Sequence, residues 1–458
     1  MAAGPPSLPG LPVTYPDALQ YLYGLQRLGI KLGLENTRRL LRALGNPERA
    51  FRAVHVGGTN GKGSTAALLH AVLRAAGFRV GLYTSPHLLD FTERIQVNGE
   101  PIGPDAVADL TAEVRAAVET AFAPVPDDLP SHPTFFEVTT ALAFLYFARA
   151  GAEWAVVEVG LGGRYDATNV LAPDLTVITN VAVEHQDLLG DSLEAIAVEH
   201  QDLLGDSLDV IAAEKAGIVK PGIPLVTAAA EPTLGVFRRV CTERGASLLH
   251  VPAAYTWRRE APLPDGQVFS LQGPGTEWRG LRIGLLGRHQ LVNAATAVAA
   301  AERLREGGLA LPESAVREGL AAARWPARLQ VVGERPRILV DGAHNPAACR
   351  AVRGFLEEEV PGRRILVFGA LKDKDWGQML EILLPAFSAA ILCRPPSDRA
   401  AEPVMLLGTS RDHCGHVEVV PEVADALVAA RALSRPEDTI LVAGSLFTAG
   451  AALAALRA

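Results

Sequence analysis

Apolar residues recur along this chain at two periods, and the way the two alternate predicts an architecture. Short apolar runs bounded by Gly, Asn or Asp at residues 53–56, 80–83, 154–159 and 175–179 read as buried strands. Between them stand stretches of helical period: residues 15–44, stopped by Gly45-Asn46-Pro47, then 65–76 and 139–150. Strand followed by helix, repeated, predicts a mostly parallel sheet with helices on both faces. Residues 258–282 break the rhythm with PLPDG, LQGPG and TEW, and read as a small antiparallel appendage. Helical period returns at 290–306 and 313–323 and is interrupted at Trp325-Pro326. A second alternation follows, with strands at 338–340, 365–368, 389–393, 417–420 and 439–442. The Pro/Gly-rich start, of about fourteen residues, is expected to fray.

Composition narrows this picture. At 458 residues the chain exceeds what one hydrophobic core usually serves, and 49% apolar residues supply two. The expected boundary gives a domain over residues 1–324 and a smaller one over 325–458. A formal charge of −8 offers no general attraction to nucleic acid or to an anionic membrane, so neither is expected as a partner. The four cysteines, Cys241, Cys349, Cys393 and Cys414, form no CxxC pair, which argues against a disulfide framework or structural zinc. The start lacks a basic and apolar leader, and no apolar stretch approaches membrane length. A cytoplasmic, monomeric protein is expected.

The candidate chemistry begins at residues 57–64, GGTNGKGS, which lie between the strand at 53–56 and the helix that follows. The segment departs from GxxxxGK[ST] twice, with Val56 where the first Gly belongs and Gly63 after Lys62. The mechanics survive. Gly58, Gly61 and Gly63 let backbone amides turn inward, and the helix adds its positive N-terminus. Lys62 sets a charge on the β- and γ-phosphates of ATP, and Ser64 or Thr65 offers a hydroxyl toward Mg²⁺. The competing account is a plain glycine turn. The fold expectation becomes α/β: a P-loop-type, mostly parallel sheet domain with its antiparallel appendage, plus a smaller C-terminal Rossmann-like domain.

Glu158 ends the run WAVVE, at the carboxyl end of a buried strand where α/β proteins bind ligands, as a metal ligand or as a structural cap. The GLGGR that follows lacks the spacing of a dinucleotide fingerprint. Lys215 falls near a helix end marked by Gly217, where the helix dipole alone accounts for it, and His185 reads equally as a solvated loop residue. LVDGAHNP sets Asp341, His344 and Asn345 at another strand end, and FGALKDKD does so for Lys372, Asp373, Lys374 and Asp375; turn formation explains either.

Together these segments resemble the folylpolyglutamate synthase and dihydrofolate synthase family of the Mur ligase superfamily, from about Tyr15 onward. The resemblance rests on HVGGTNGKGST, TSPHL, FTERI, FFEVTTALAF, EVGLGGRYDATN, EKAGI, GRHQLVNAATA and DGAHNP. It implies an ATP-dependent ligase that phosphorylates the carboxylate of a folate or a dihydropteroate and joins it to the amine of L-glutamate. By resemblance, Gly58, Thr59, Asn60, Gly61, Lys62, Gly63, Ser64 and Thr65 hold the nucleotide with Asn293, Arg328 and Asp341. Lys62, Lys215 and His344 are the implied catalytic residues. Two Mg²⁺ are implied, on Ser64, Ser85, Glu158, a histidine and Lys215, the lysine carbamylated. Ser85, Pro86, His87, Phe91 and Arg94 line the implied pterin site. The family's hinge motif has Gly before the arginine, whereas this chain has Ala327 in WPARLQ.

One repeat complicates the metal site. Residues 182–196, AVEHQDLLGDSLEAI, recur at 197–211 with two changes, Asp209 for Glu194 and Val210 for Ala195. The family has one histidine, five residues after the Asn of the strand end and fifteen before the lysine. Here His185 keeps the spacing from Asn180, and His200 keeps the spacing to Lys215. Fifteen helical residues span about 22 Å, so both cannot serve one metal unless the extra segment loops out. His200 is the choice made here, because the second copy forms an intact unit with Lys215. The phosphate loop alone would also suit a phosphotransferase or nucleotide switch. A binding module impaired by the duplication, or another Mur-type amino-acid ligase, are the remaining readings.

Overall fold

A computed structural model describes residues 13–29, 31, 33–122, 132–182 and 208–457. His185, His200 and nearly all of the duplicated segment lie outside the described residues.

Two sheets organise the chain. The first has eight strands: β1 (Arg52–Gly57), β2 (Val80–Tyr83), β3 (Ile95–Val97), β4 (Glu100–Pro101), β5 (Trp154–Glu158), β6 (Leu175–Ile178), β7 (Leu225–Thr227) and β8 (Leu248–His250). Their spatial order is β4-β3-β2-β5-β1-β6-β7-β8, parallel from β2 to β8, with β3 and β4 added antiparallel at the edge. Alternation along the strands fills both faces. Val54, Val56, Val80, Leu82, Val156 and Val177 point to a core built with the helices Lys62–Ala75 and Arg288–Glu306. Ala53, Tyr83, Ala155 and Val157 point to another, under the helices Tyr15–Gly24, Pro104–Ala121 and Phe135–Arg149.

The appendage is a three-stranded antiparallel sheet, β9 (Thr256–Leu263), β10 (Gly266–Gly273) and β11 (Thr276–Ile283). The buried Glu302 ties it to the helix Arg288–Glu306, accepting from Trp278 Nε1 at 2.9 Å, from Thr276 Oγ1 at 2.7 Å and from the Tyr255 hydroxyl. A buried carboxylate of this kind is tolerable only because each oxygen is bonded.

The second sheet contains β12 (Gln330–Glu334), β13 (Arg337–Val340), β14 (Arg364–Phe368), β15 (Ala389–Leu392), β16 (Val417–Val419) and β17 (Thr439–Ala443). Its order is β12-β13-β17-β14-β15-β16, with only β12 antiparallel. Leu339, Leu366, Phe368 and Leu441 face one helical layer, while Ile338, Val340, Ile365 and Ile440 face the other. This is the two-domain α/β architecture expected from the pattern. The periodicity missed β3, β4, β7, β8 and β12, which are too short or too exposed to show a period. It also began the helix after the glycine turn at residue 65, whereas the helix starts at Lys62, because its first residues are polar or Gly. Among the described residues no helix is long and apolar enough to cross a membrane.

Candidate functional site

Four neighbouring strands of the first sheet release their chains at one edge. Register pairs Val56 with Glu158, Gly57 with Ile178 and Tyr83 with Val157, so the ends of β2, β5, β1 and β6 stand in a row. From that row come Ser85, Glu158, the glycine turn, and Thr179 with Asn180. The turn is tied to its neighbour: Thr59 N donates to Asn180 O at 2.9 Å, and Asn60 N to Asn180 Oδ1 at 2.8 Å. A Cβ on Gly58 (φ 135°) would stand 2.0 Å from Thr179 Oγ1, and one on Gly63 would stand 2.7 Å from Trp325 Nε1. The second departure from the strict phosphate-loop pattern is therefore a packing requirement, because an indole from the interdomain linker lies where a side chain would go.

The row opens onto a cavity of about 570 Å³ whose far wall belongs to the second domain. Thr59 to Ser64, Ser85, Pro86, Glu158, Asn293, Arg328, Asp341 and His344 all line it. Lys62 Nζ folds back onto Thr59 O at 3.0 Å, and the buried Lys215 reaches Gly58 O at 3.2 Å. Asn293 packs its amide against Gly61, with Nδ2 donating to Gln290 Oε1 at 2.9 Å. His344 Nδ1 donates to Gly342 O at 2.8 Å. Across the domains, Asn345 Nδ2 donates to Asn60 Oδ1 at 2.9 Å.

Electrostatically the cavity is built for anions. Lys62, Arg328, Lys374 and Arg399 border it, against the carboxylates of Glu158 and Asp341. Burial pushes the Glu158 carboxyl above the usual carboxylate range, opposed by the charges of Lys62 and Arg328. Burial also holds His289, another lining residue, below its ordinary value. The hydroxyls of Ser64 and Thr65 are buried with no hydrogen-bond partner, and Glu158 Oε2 accepts from Ser85 N at 3.2 Å. A buried hydroxyl left unpaired beside a buried carboxylate suits a divalent cation that brings its remaining ligands as phosphate oxygens. Among the described residues no three His, Cys, Asp or Glu side chains gather as a protein cage for a metal. The hydroxyl and carboxylate oxygens present suit a hard divalent cation such as Mg²⁺.

A smaller recess of about 90 Å³ adjoins the cavity beside Gly63, Ser85, Glu158 and Arg328, with His87, Glu93 and Trp325 in its walls. Of the expected pterin residues, Ser85, Pro86 and His87 line it. Phe91 and Arg94 stand behind that wall. Phe91 is buried with its ring edge-on to His87, and Arg94 Nε donates to His87 Nδ1 at 2.8 Å. Residues that the sequence reading left without a role also line these spaces: Thr179, His289, Gln290, Arg399, Ser445 and Phe447 on the large one, Trp325 on the small one. The visible signals are the Trp-Pro interruption at 325–326, which marks a boundary, and the GRHQLVNAATA segment that contains His289 and Gln290.

The chain matches two family descriptions: "Mur ligase middle domain" over residues 56–301 and "Mur ligase, glutamate ligase domain" over residues 327–446. It is 39% identical over 373 residues to the dihydrofolate synthase/folylpolyglutamate synthase of Bacillus subtilis, covering 81% of this chain and 82% of the relative. A Mycobacterium tuberculosis folylpolyglutamate synthase complexed with ADP and AMPPCP superposes with a TM-score of 0.85 at 32% identity, over 96% of this chain and 98% of that one. A Yersinia pestis bifunctional folylpolyglutamate synthase/dihydrofolate synthase, complexed with AMPPNP and a Mn ion, gives 0.82 at 31% identity, over 97% and 98%.

Proposed function

The chain belongs to the folylpolyglutamate synthase and dihydrofolate synthase family of the Mur ligases and is a carbon–nitrogen ligase; from that premise we propose how its own residues perform an ATP-dependent ligation. The substrates are ATP, L-glutamate, and a folate or a dihydropteroate. A carboxylate oxygen of the acceptor attacks the γ-phosphorus and ADP leaves. The glutamate nitrogen then attacks the acyl carbon, inorganic phosphate leaves, and the amine gives up a proton as the amide forms.

Loop residues Gly58 to Thr65 hold the phosphates through backbone amides and the N-terminus of the helix Lys62–Ala75. Lys62 turns from Thr59 O onto the β/γ-phosphates, and Arg328 approaches them from the hinge. Asn293 holds the nucleotide from the first domain, and His344 faces the reacting groups from the second. Ser64, Ser85 and Glu158 hold a first Mg²⁺, which when bound neutralises phosphoryl charge. A second Mg²⁺ falls to Lys215, as a carbamate that exchanges an ammonium for oxygen ligands, and to His200 in preference to His185. Ser85, Pro86 and His87 contact the pterin, with Phe91 and Arg94 supporting His87. The domain boundary is placed at 324/325, and the protein works as a monomer.

The observation that carries this reading is the row of strand ends: a phosphate loop whose glycines have no room for a Cβ, beside an unpaired buried hydroxyl and a buried carboxylate. The test is incubation with ATP, Mg²⁺, labelled L-glutamate and either tetrahydrofolate or dihydropteroate. Labelled amide with at least one acceptor is expected. ATP turnover without amide, whichever acceptor is present, would sink the reading. Separate His185→Ala and His200→Ala variants decide the histidine: loss of turnover on His185→Ala alone overturns the choice of His200.

A further inference from the structure

The loop that follows Ser85-Pro86 is folded round a carboxylate. Glu93, in the FTERI segment, accepts from three successive backbone amides: Leu88 N at 2.7 Å on Oε2, and Leu89 N at 3.0 Å and Asp90 N at 3.1 Å on Oε1. Consecutive N–H groups turned to one side form a concavity for an anion, and here the protein fills it with its own side chain. Capping explains one of the three bonds, since Asp90 opens the short turn Phe91–Arg94 and Glu93 returns to the Asp90 amide. The bonds to Leu88 and Leu89 lie outside the cap. Leu88 is held on its other side as well, because a Cβ on Gly450 of the second domain would stand 2.3 Å from Leu88 O. Two further bonds fix the frame: Gln96 Nε2 donates to Glu93 O at 3.1 Å, and the Tyr15 hydroxyl donates to Asp90 Oδ1 at 2.7 Å. Glu93, His87 and Leu88 all stand in the wall of the small recess, where Glu158 is the other acid.

We infer that Glu93 is a positioning residue: it braces Leu88-Leu89-Asp90 and so holds the recess wall, with the adjoining His87, in the shape that receives the acceptor. Both of its carboxylate oxygens are occupied by backbone amides, so the side chain acts on substrate through the loop and not as an acid, a base or a metal ligand. This rests on the reading of that wall as the acceptor site. The geometry also sets an asymmetry. Glutamine has the same shape, but wherever its NH2 is placed it confronts an N–H group, either of Leu88 or of Leu89 and Asp90, and that side of the loop comes loose.

Steady-state ligation is measured for the full chain and for Glu93→Gln and Glu93→Ala, with the acceptor, tetrahydrofolate or dihydropteroate, and ATP varied in turn. Amide exchange at Leu88, Leu89 and Asp90 is followed alongside. Glu93→Gln is expected to raise the Michaelis constant for the acceptor about tenfold, the scale of losing a hydrogen bond to a charged group, and to leave that for ATP within about twofold of the parent, with a smaller effect on kcat. Exchange is expected to quicken at Leu88, or at Leu89 and Asp90, in Glu93→Gln, and at all three in Glu93→Ala. Unaltered exchange overturns the brace. An acceptor constant like the parent's, or an equal rise for ATP, reduces Glu93 to general stability and overturns it too. So does a kcat lowered about a hundredfold with the acceptor constant unchanged, the mark of an acid or base in the reaction. If adding acceptor to the parent leaves exchange at these amides unchanged, the placement of the acceptor fails, and exchange in the Glu93 variants still decides the brace. Should Glu93→Ala not fold, the near-isosteric Glu93→Gln carries both measurements.

Discussion

Single side chains in this molecule are placed where burial and charge disagree, and that disagreement makes them testable. Glu158 is buried with its carboxyl pushed above the ordinary range, a state that disfavours its charge until a cation arrives. Glu158→Gln keeps the shape and removes the charge. Ligase activity is expected to fall about a hundredfold, the scale of losing one preorganised electrostatic contact, while the melting temperature stays level or rises. Assaying turnover against Mg²⁺ concentration and melting the same sample checks both halves. His70 is buried and held at about 4, chiefly by burial, against an ordinary value of 6.5. A folded value below the unfolded one means stability present above pH 6.5 and lost as pH falls toward 4, by up to about 1.4 kcal/mol per pH unit. Urea titrations of His70→Leu between pH 6.5 and 4.5 should show a shallower loss on acidification than the parent; parallel curves would refute the assignment. At this scale the sequence spoke clearly where chemistry needs a residue type in a strict spacing, as in the loop residues and Glu158. It marks Trp325 only as an interruption and His289 only as part of GRHQLVNAATA, because their places on the cavity come from folding distant segments against the loop. The left-handed Ala327 and Leu329, each opposed by about 1–2 kcal/mol, carry no mark in the sequence except the Ala found where the family has Gly.

Elements carry the site by where they end. The strands β1, β2, β5 and β6 read plainly in the sequence because they are buried on both faces, and the segments proposed for the site leave from their ends in one row. The edge hairpin β3–β4 was not legible, since two- and three-residue strands show no period, yet it follows directly on the FTERI segment behind His87. The C-terminal helix Leu446–Arg457 was no part of the expected site. Its Gly450 nevertheless lies against the SPHL loop, and a Cβ there would stand 2.3 Å from Leu88 O. Gly450→Ala should push this helix off the loop that carries Ser85 to His87. The Michaelis constant for the folate acceptor is expected to rise several-fold, with a smaller effect on kcat and the fold kept. Steady-state kinetics with the acceptor varied provides the check, and unchanged constants would mean that this contact does not shape the substrate wall.

At the scale of the whole molecule, function depends on two domains meeting over one cavity. The contact is seated at separate points: the Asn60–Asn345 hydrogen bond at the phosphate loop, Gly450 against Leu88, and the half-buried Arg259–Glu359 pair, 2.6 Å, between the appendage and the helix Pro346–Glu359. Each domain was legible as an α/β layer from its own hydrophobic rhythm. Their mutual placement was not, because it is set by these few polar and close-packed contacts rather than by any periodicity. In the proposed reaction this meeting lets a phosphoryl group pass to a carboxylate before the amine arrives, in a space lined by both domains. Oxygen tracing tests it most directly. With the acceptor's terminal carboxylate enriched in ¹⁸O and the protein supplied with ATP, Mg²⁺ and L-glutamate, one labelled oxygen should appear in inorganic phosphate for each amide formed. Amide accompanied by phosphate free of label would contradict the account.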